Sequence, residues 1–328
     1  MRVVVTGGSG FIGTHLVRLL QERRLSVGIV DIRPPQLDNV AGVEYLPVDI
    51  RQRQALRGLF KEAKVVYHLA GNPQLWTRRK GQFGQVNYCG TVHVLDEALT
   101  AGVPRLVHVS TESILTRTDQ QDLIREDQDV PCREVLGPYC LSKWRAERHA
   151  WLAARRGAPV VIVNPTLPVG PGDWQRTPPT QMILDVCRGK RPAYLEGDLN
   201  LIDVRDVASG LLAAAERGRP GRRYLLSGEN WSIHQLFTTV ARLAGVAAPR
   251  WKVPYPLALT FAFVDEFRAN LTGRPPAASV TGVRLTRRRF HFDAARSWRA
   301  LGLQPRPVCQ SLEELIAWFR RVGWLPQG

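Results

Sequence analysis

Six short runs in the chain are apolar almost without a break: "RVVVTGG" from position 2, "SVGIVD" from 26, "EYLPVD" from 44, "VVYHLAG" from 65, "RLVHVST" from 105 and "PVVIVNP" from 159. A strand with one wet face alternates apolar and polar residues, whereas a strand covered on both faces does not. The runs therefore predict a parallel sheet buried between helices. Helix-like segments lie between them. "GFIGTHLVRLLQERR" places Ile12, Leu16 and Leu19 or Leu20 at helical spacing, and "QVNYCGTVHVLDEALTAG" and "YCLSKWRAERHAWLAARRG" follow further on. Strand–helix repetition predicts an α/β, doubly wound Rossmann-type fold with ligands at the carboxyl ends of the strands.

The rhythm changes after Pro165. "NPTLPVGPGDWQRTPPT" reads as a loop, and "LNLIDVRDVASGLLAAAERG" as one more strand and helix returning to the sheet. The remainder carries helices such as "SIHQLFTTVARLAG" and "SLEELIAWFRRVGW" and few strand signals. This predicts a dinucleotide-binding domain over residues 1–163, rejoined by 201–226, and a smaller, mostly helical substrate domain over 164–200 and 227–328. "VPYPLALTFAFVDEF" is apolar, but its prolines and length favour a packed helix or lid over a peripheral membrane contact.

The strand-like start leaves no room for a signal peptide, and no apolar run reaches the ~18–20 residues that span a bilayer. A cytoplasmic location is expected. Five cysteines without a C-x-x-C pair or a His cluster predict neither a disulfide framework nor a metal site. The net charge is +16, yet only six of the 45 basic residues are Lys, a bias that fits an arginine-rich genome. The run "RLTRRRFHFDAARSWR" at 284–299 reads as a solvated or substrate-facing surface, and no nucleic-acid partner is expected.

"TGGSGFIG" at 6–13 sets Gly7, Gly10 and Gly13 between a strand and a helix. Glycines there permit a tight turn and close approach of a pyrophosphate, which the helix N-terminus holds with free N–H groups. Asp31 ends the second strand, where a carboxylate accepts hydrogen bonds from an adenosine ribose and repels a 2′-phosphate. That favours NAD over NADP, with Arg33 keeping NADP open.

"GPYCLSKWRAE" at 137–147 places Tyr139 one helical turn before Lys143. A phenol with a pKa of about 10 is a poor base at neutral pH. A neighbouring ammonium and an oxidised nicotinamide favour the phenolate, which then exchanges a proton with a substrate hydroxyl or ketone as hydride moves. "VHVSTES" at 107–113 offers Ser110 or Thr111 as the hydroxyl that orients the substrate oxygen.

Together these segments resemble the extended short-chain dehydrogenase/reductases, the NAD-dependent epimerase/dehydratase family, over nearly the whole chain. The resemblance makes "TGGSGFIG", with Phe11 and Ile12, the nucleotide loop. It implies adenine contacts from Asp49 and Ile50 in "VDI", and a cofactor-side motif in Leu69, Ala70 and Gly71 of "HLAG". It implies a cofactor-side Asn87 in "NYCGT", chooses Thr111 over Ser110, and sets Tyr139 and Lys143 as the catalytic pair. Asn164, Pro165 and Thr166 are expected to line the nicotinamide and substrate side. Within the family, "VIVNPTLPVGPGD", "RPAYLEGDLNLIDVRDVA" and "RRYLLSGEN" look most like hopanoid-associated sugar epimerases and dihydroflavonol-4-reductase-like enzymes. Leu199 stands where nucleotide-sugar epimerases usually carry an Arg, and leucine cannot pair a diphosphate.

The leading expectation is an NAD(P)-dependent oxidoreductase acting on a secondary alcohol or ketone. The alternative is an epimerase or dehydratase that takes the same first step and keeps its cofactor. A non-catalytic scaffold binding RNA or a protein partner is disfavoured by the retained Tyr/Lys pair. The small-molecule substrate is a sugar derivative, a terpenoid or sterol, or another ketone or alcohol. The helices holding Asn87 and Tyr139 offer a four-helix seam for a homodimer, which nothing in the sequence requires.

Overall fold

A computed structural model describes residues 1–37 and 41–327. The strands, in chain order, are β1 (Arg2–Thr6), β2 (Ser26–Asp31), β3 (Val43–Pro47), β4 (Ala63–His68), β5 (Leu106–Val109), β6 (Val160–Pro165), β7 (Leu167–Val169), β8 (Ala193–Tyr194), β9 (Asp198–Asp203), β10 (Arg223–Leu226), β11 (Glu229–Ser232) and β12 (Trp251–Lys252). Seven of them form one parallel sheet in the order β3-β2-β1-β4-β5-β6-β10. The chain order reverses between β1 and β4, which opens a crevice at their carboxyl ends.

Alternate residues of each strand serve opposite faces of the sheet. Val3, Val5, Val27, Ile29 and Tyr67 join one core with Leu16 and Leu20 of the helix Phe11–Glu22 and Leu211 of the helix Val204–Arg217. Val4, Val30, Val66, Leu106 and Ile162 join the other with Val94 and Leu95 of the helix Gly90–Thr100 and Ala150 of the helix Gly137–Arg155. This is the two-sided burial that the unbroken apolar runs require.

The segment after Pro165 departs from the sequence expectation in one respect. The strand of "LNLID" is β9, and it does not enter the large sheet. It sits between β7 and β11 in a separate three-stranded sheet. The buried Asn200 side chain accepts from Thr166 Oγ1 at 2.7 Å and donates to Asn230 Oδ1 at 2.7 Å, tying β9 to segments on either side. The helix Val204–Arg217 and the strand β10 return to the large sheet, and Trp298 and Leu301 of the helix Ala295–Leu301 also pack in its core. A second apolar core, with Leu236, Phe237, Leu312, Ile316 and Phe319, lies under the helices Ile233–Ala244 and Val308–Arg321. Among the described residues, no helix is long and apolar enough to cross a membrane.

Candidate active site

The chain turns immediately after β1. Gly7 sits at φ +74°, and a Cβ on it would lie 2.5 Å from the Ala70 nitrogen. At Gly13 a Cβ would lie 2.2 Å from the Gly7 carbonyl oxygen. Both contacts are with backbone, which cannot yield, so side chains are excluded and the loop stays open to a ligand. Gly10 is less constrained, with the nearest atom 3.2 Å away. The helix Phe11–Glu22 starts with no side chain capping its N-terminus, which leaves its first N–H groups for a pyrophosphate. Phe11 is buried edge-on to His15, with ring centroids 5.9 Å apart, and Ile12 packs on the core. Both therefore face the groove through main chain.

Asp31 reaches back to this turn. Its carboxylate accepts from the Ser9 nitrogen at 3.2 Å and the Arg33 nitrogen at 3.1 Å. Burial raises its pKa, while the Arg33 and Ser9 N–H groups oppose that rise. The Arg33 side chain is exposed. Asp49 is gripped by Arg51, whose Nε lies 2.9 and 3.0 Å from the two carboxylate oxygens and holds the pKa down. Ile50 turns its side chain into the core, where a Cβ on Gly90 would meet its Cδ1 at 2.5 Å; its carbonyl pairs with His93 Nδ1 at 3.1 Å.

On the other side of the crevice the Leu69 nitrogen donates to the Thr6 carbonyl at 2.9 Å. Ala70 and Gly71 follow, with Gly71 against Asn87 Oδ1. Asn87 belongs to a π-helical turn, Gly84–Cys89, between the short α-helical turn Gly81–Phe83 and the helix Gly90–Thr100. Such widened turns recur at functional sites. Its Oδ1 accepts from the Asn72 nitrogen at 2.7 Å, and its Nδ2 donates to Ser142 Oγ at 2.9 Å. Ser142 Oγ in turn donates to the Tyr139 carbonyl at 2.6 Å.

A second polar chain runs beneath. Thr91 Oγ1 donates to the Asn87 carbonyl at 2.6 Å, so its lone pair accepts from His68 Nε2 at 2.8 Å. His68 Nδ1 then accepts from Thr6 Oγ1 at 2.7 Å. The ring is held neutral as the Nε2–H tautomer, and burial pushes its pKa down to about 3, with Lys143 adding to the effect. These two chains link the end of β1 to the helix Gly137–Arg155.

That helix carries the candidate proton-transfer group. Its entry, Gly137, has φ +75° and lies against Thr281. Tyr139 stands edge-on to Phe83, with centroids 6.1 Å apart, and its hydroxyl lies beside Thr111. Thr111 Oγ1 spends its own proton on Glu112 Oε2 at 2.8 Å. Phenol, hydroxyl and buried carboxylate thus cluster at the end of β5. Burial raises the Tyr139 pKa, and the Glu112 charge raises it further, against the opposing Thr111 bond. The direction is opposite to the lowered phenol pKa expected from the Tyr/Lys spacing. Lys143 Nζ donates to the Val109 carbonyl at 2.7 Å. Burial pulls its ammonium down to about 8, against the carboxylates of Glu147 and Glu112. Ser110 is buried with Oγ unpartnered, and Cys140 is a buried thiol raised to about 12 by its burial.

Behind the pair lies a network that sequence reasoning missed. Glu147, one turn beyond Lys143, accepts from Asn164 Nδ2 at 2.7 Å and from Arg223 Nε at 3.0 Å. Asn164 Nδ2 also donates to the Thr111 carbonyl at 2.9 Å. Asn164 is fully buried and holds the backbone of Thr111. The Thr166 hydroxyl is likewise committed to Asn200. Pro165 is buried in β6 and pairs with Leu226 of β10. The i,i+4 spacing of Lys143 and Glu147 was the available signal; Arg223 had none.

A sequence model described as the NAD dependent epimerase/dehydratase family matches residues 3–227. The chain belongs to this family. Membership makes it an NAD-dependent enzyme of the extended short-chain dehydrogenase/reductase type, and the glycine turn with Asp31 fits that cofactor. A Synechocystis protein named as a candidate dihydroflavonol 4-reductase is 34% identical, over 98% of this chain and 95% of that one. The sterol demethylase protein B of Methylococcus capsulatus is 31% identical, over 99% of this chain and 100% of that one. The crystal structure of gox2253 superposes with a TM-score of 0.85 at 34% identity, covering 98% of this chain and 99% of the other. Each of the three is matched over 95% or more of its own length.

Proposed function

We propose that the protein interconverts a secondary alcohol and a ketone on a largely apolar skeleton. The observation that carries this reading is the Tyr139–Thr111 pair on the substrate side of the glycine turn, braced from behind by Lys143 and Glu147. Bound NAD supplies the hydride acceptor, and its reduced form the donor. Tyr139 takes the hydroxyl proton in oxidation and returns it in reduction. Thr111 Oγ1, its proton committed to Glu112, orients the substrate oxygen. Lys143 holds positive charge beside the helix and, anchored on the Val109 carbonyl, fixes the turn that presents Tyr139. Gly7, Gly13 and the first N–H groups of the helix Phe11–Glu22 hold the pyrophosphate, and Asp31 the ribose hydroxyls.

The apolar skeleton is supported by Leu199, which packs in the second core where a diphosphate-pairing arginine would otherwise stand. The relatives named for dihydroflavonol and sterol chemistry agree in kind. The packed helices Gly90–Thr100 and Gly137–Arg155 offer their outer faces as a homodimer seam. The reading is tested by supplying NAD with polycyclic secondary alcohols, and separately with nucleotide sugars. Net NADH absorbance with the former supports it. Conversion of a nucleotide sugar without net absorbance change replaces it with an epimerase.

A further inference from the structure

The helix Tyr255–Thr272 is built the opposite way round from a surface helix of a globular protein. Its buried positions are Ala258, Ala262, Asp265 and Ala269, three of them small. Its exposed large apolar residues are Leu257, Phe261, Phe263, Val264, Phe267 and Leu271, each between 51% and 66% accessible, with Thr260, Arg268, Asn270 and Thr272 also exposed. The apolar ones account for six of the twelve large apolar side chains exposed among the described residues. Contiguous apolar surface of this kind marks an interaction site.

The helix is not detached. Trp76 Nε1 donates to Asn270 Oδ1 at 3.3 Å, and Arg78 lies against Gly273. Val283 packs with Ala258 and Ala262, and its neighbour Thr281 sits on Gly137 at the entry to the Tyr139 helix. The apolar face is therefore carried by a structure joined to the candidate active site.

Charge identifies the occupant. Both carboxylates of the helix are consumed within the fold. Asp265 accepts from Arg268 at 2.7 Å and from the Ala278 nitrogen at 3.2 Å, and Glu266 accepts from the Val280 nitrogen at 2.8 Å. Cations surround the face. Arg284 lies 5.8 Å from the Phe263 ring and Arg287 4.7 Å from the Tyr255 ring. Arg268 and Arg274 are exposed at the far end, and Arg250 and the exposed Trp251 precede the near end. Aromatic and aliphatic side chains bordered by arginines, on a chain of net charge +16, match the boundary of an anionic bilayer, where apolar groups enter the acyl region and cations meet headgroups. A second copy of the chain would bring the same arginine border against itself.

We propose that the helix Tyr255–Thr272 lies in the interface of an anionic membrane and docks the enzyme there, with its active site facing substrates dissolved in the bilayer. The docking does not depend on the redox reading, and its test needs no turnover. The full chain is mixed with phosphatidylcholine vesicles, with or without phosphatidylglycerol, and sedimented at low and high salt. Binding to the phosphatidylglycerol vesicles is expected, weakening with salt and with removal of the anionic lipid. The double variant Phe261→Ser/Phe267→Ser changes only exposed side chains, so its melting temperature should match the parent while vesicle affinity falls at least tenfold. Arg274→Glu/Arg284→Glu should lose the preference for anionic lipid. The proposal is overturned if the parent stays in solution, or if both double variants bind as the parent does. It is equally overturned if the parent is a dimer that the phenylalanine variant dissociates, which would assign the face to a second copy.

Discussion

The two ends of the groove are made of different material. The proposed nucleotide end is mostly main chain: two glycines that backbone contacts forbid from growing a side chain, uncapped N–H groups, and one carboxylate. The proposed chemistry end is largely side chain: Tyr139, Thr111, Glu112 and Lys143, held from behind by Glu147, Asn164 and Arg223. Recognition of a pyrophosphate needs only donors at fixed places, which backbone provides in any sequence that folds this way. Moving a proton needs titratable groups whose environments set their affinity for it. The first end can be shared across a family, while the second has to be tuned residue by residue.

Separating the two ends by mutation sharpens that contrast. The largest effect is expected from Tyr139→Phe, which removes the proposed proton carrier and leaves the glycine turn intact. Turnover should fall on the general acid–base scale of about 10²–10⁴, with NAD affinity by calorimetry nearly unchanged. A variant that kept most of its activity would place proton transfer elsewhere. Asp31→Ala is the converse experiment. It should weaken NAD binding on the order of tenfold, the loss of about 1.4 kcal/mol in hydrogen bonds to a charged group, and narrow the gap to NADP while kcat at saturating cofactor holds. An unchanged cofactor preference would locate the ribose contact on another residue.

Glu112→Gln is the subtlest. The buried carboxylate raises the Tyr139 pKa, because a negative neighbour disfavours a phenolate. Removing that charge should move the limb of the kcat/KM profile on which the phenolate forms toward lower pH. Gln keeps an acceptor for the Thr111 hydroxyl, so NAD affinity should not respond. A profile that stayed in place would mean that Tyr139 does not feel this carboxylate during the reaction.

Legibility in the sequence followed the range of the interaction. The glycine turn, Asp31, and the Tyr139/Lys143 spacing are each defined within a few residues, and all were readable. Glu147 was readable in principle from its helical spacing to Lys143, but its partner Arg223 is 76 positions away, on the strand β10. His68 was visible only as part of an apolar run. Its role as a neutral pin between Thr6 and Thr91 depends on three elements meeting in the core. The strand "LNLID" was misassigned to the large sheet, because strand pattern reports that a segment pairs and not with which sheet.

The amino-acid sequence by itself determined the alternating strand and helix order, the two-sided burial of the sheet and the backbone of the nucleotide turn, since periodicity and glycine conformation act locally. Only the tertiary structure decided the protonation of His68, the bond from Thr111 to Glu112 beside Tyr139, and which way the helix Tyr255–Thr272 turns its phenylalanines. Burial and charge at each of these places are imposed by residues distant in the chain, and no local pattern carries them.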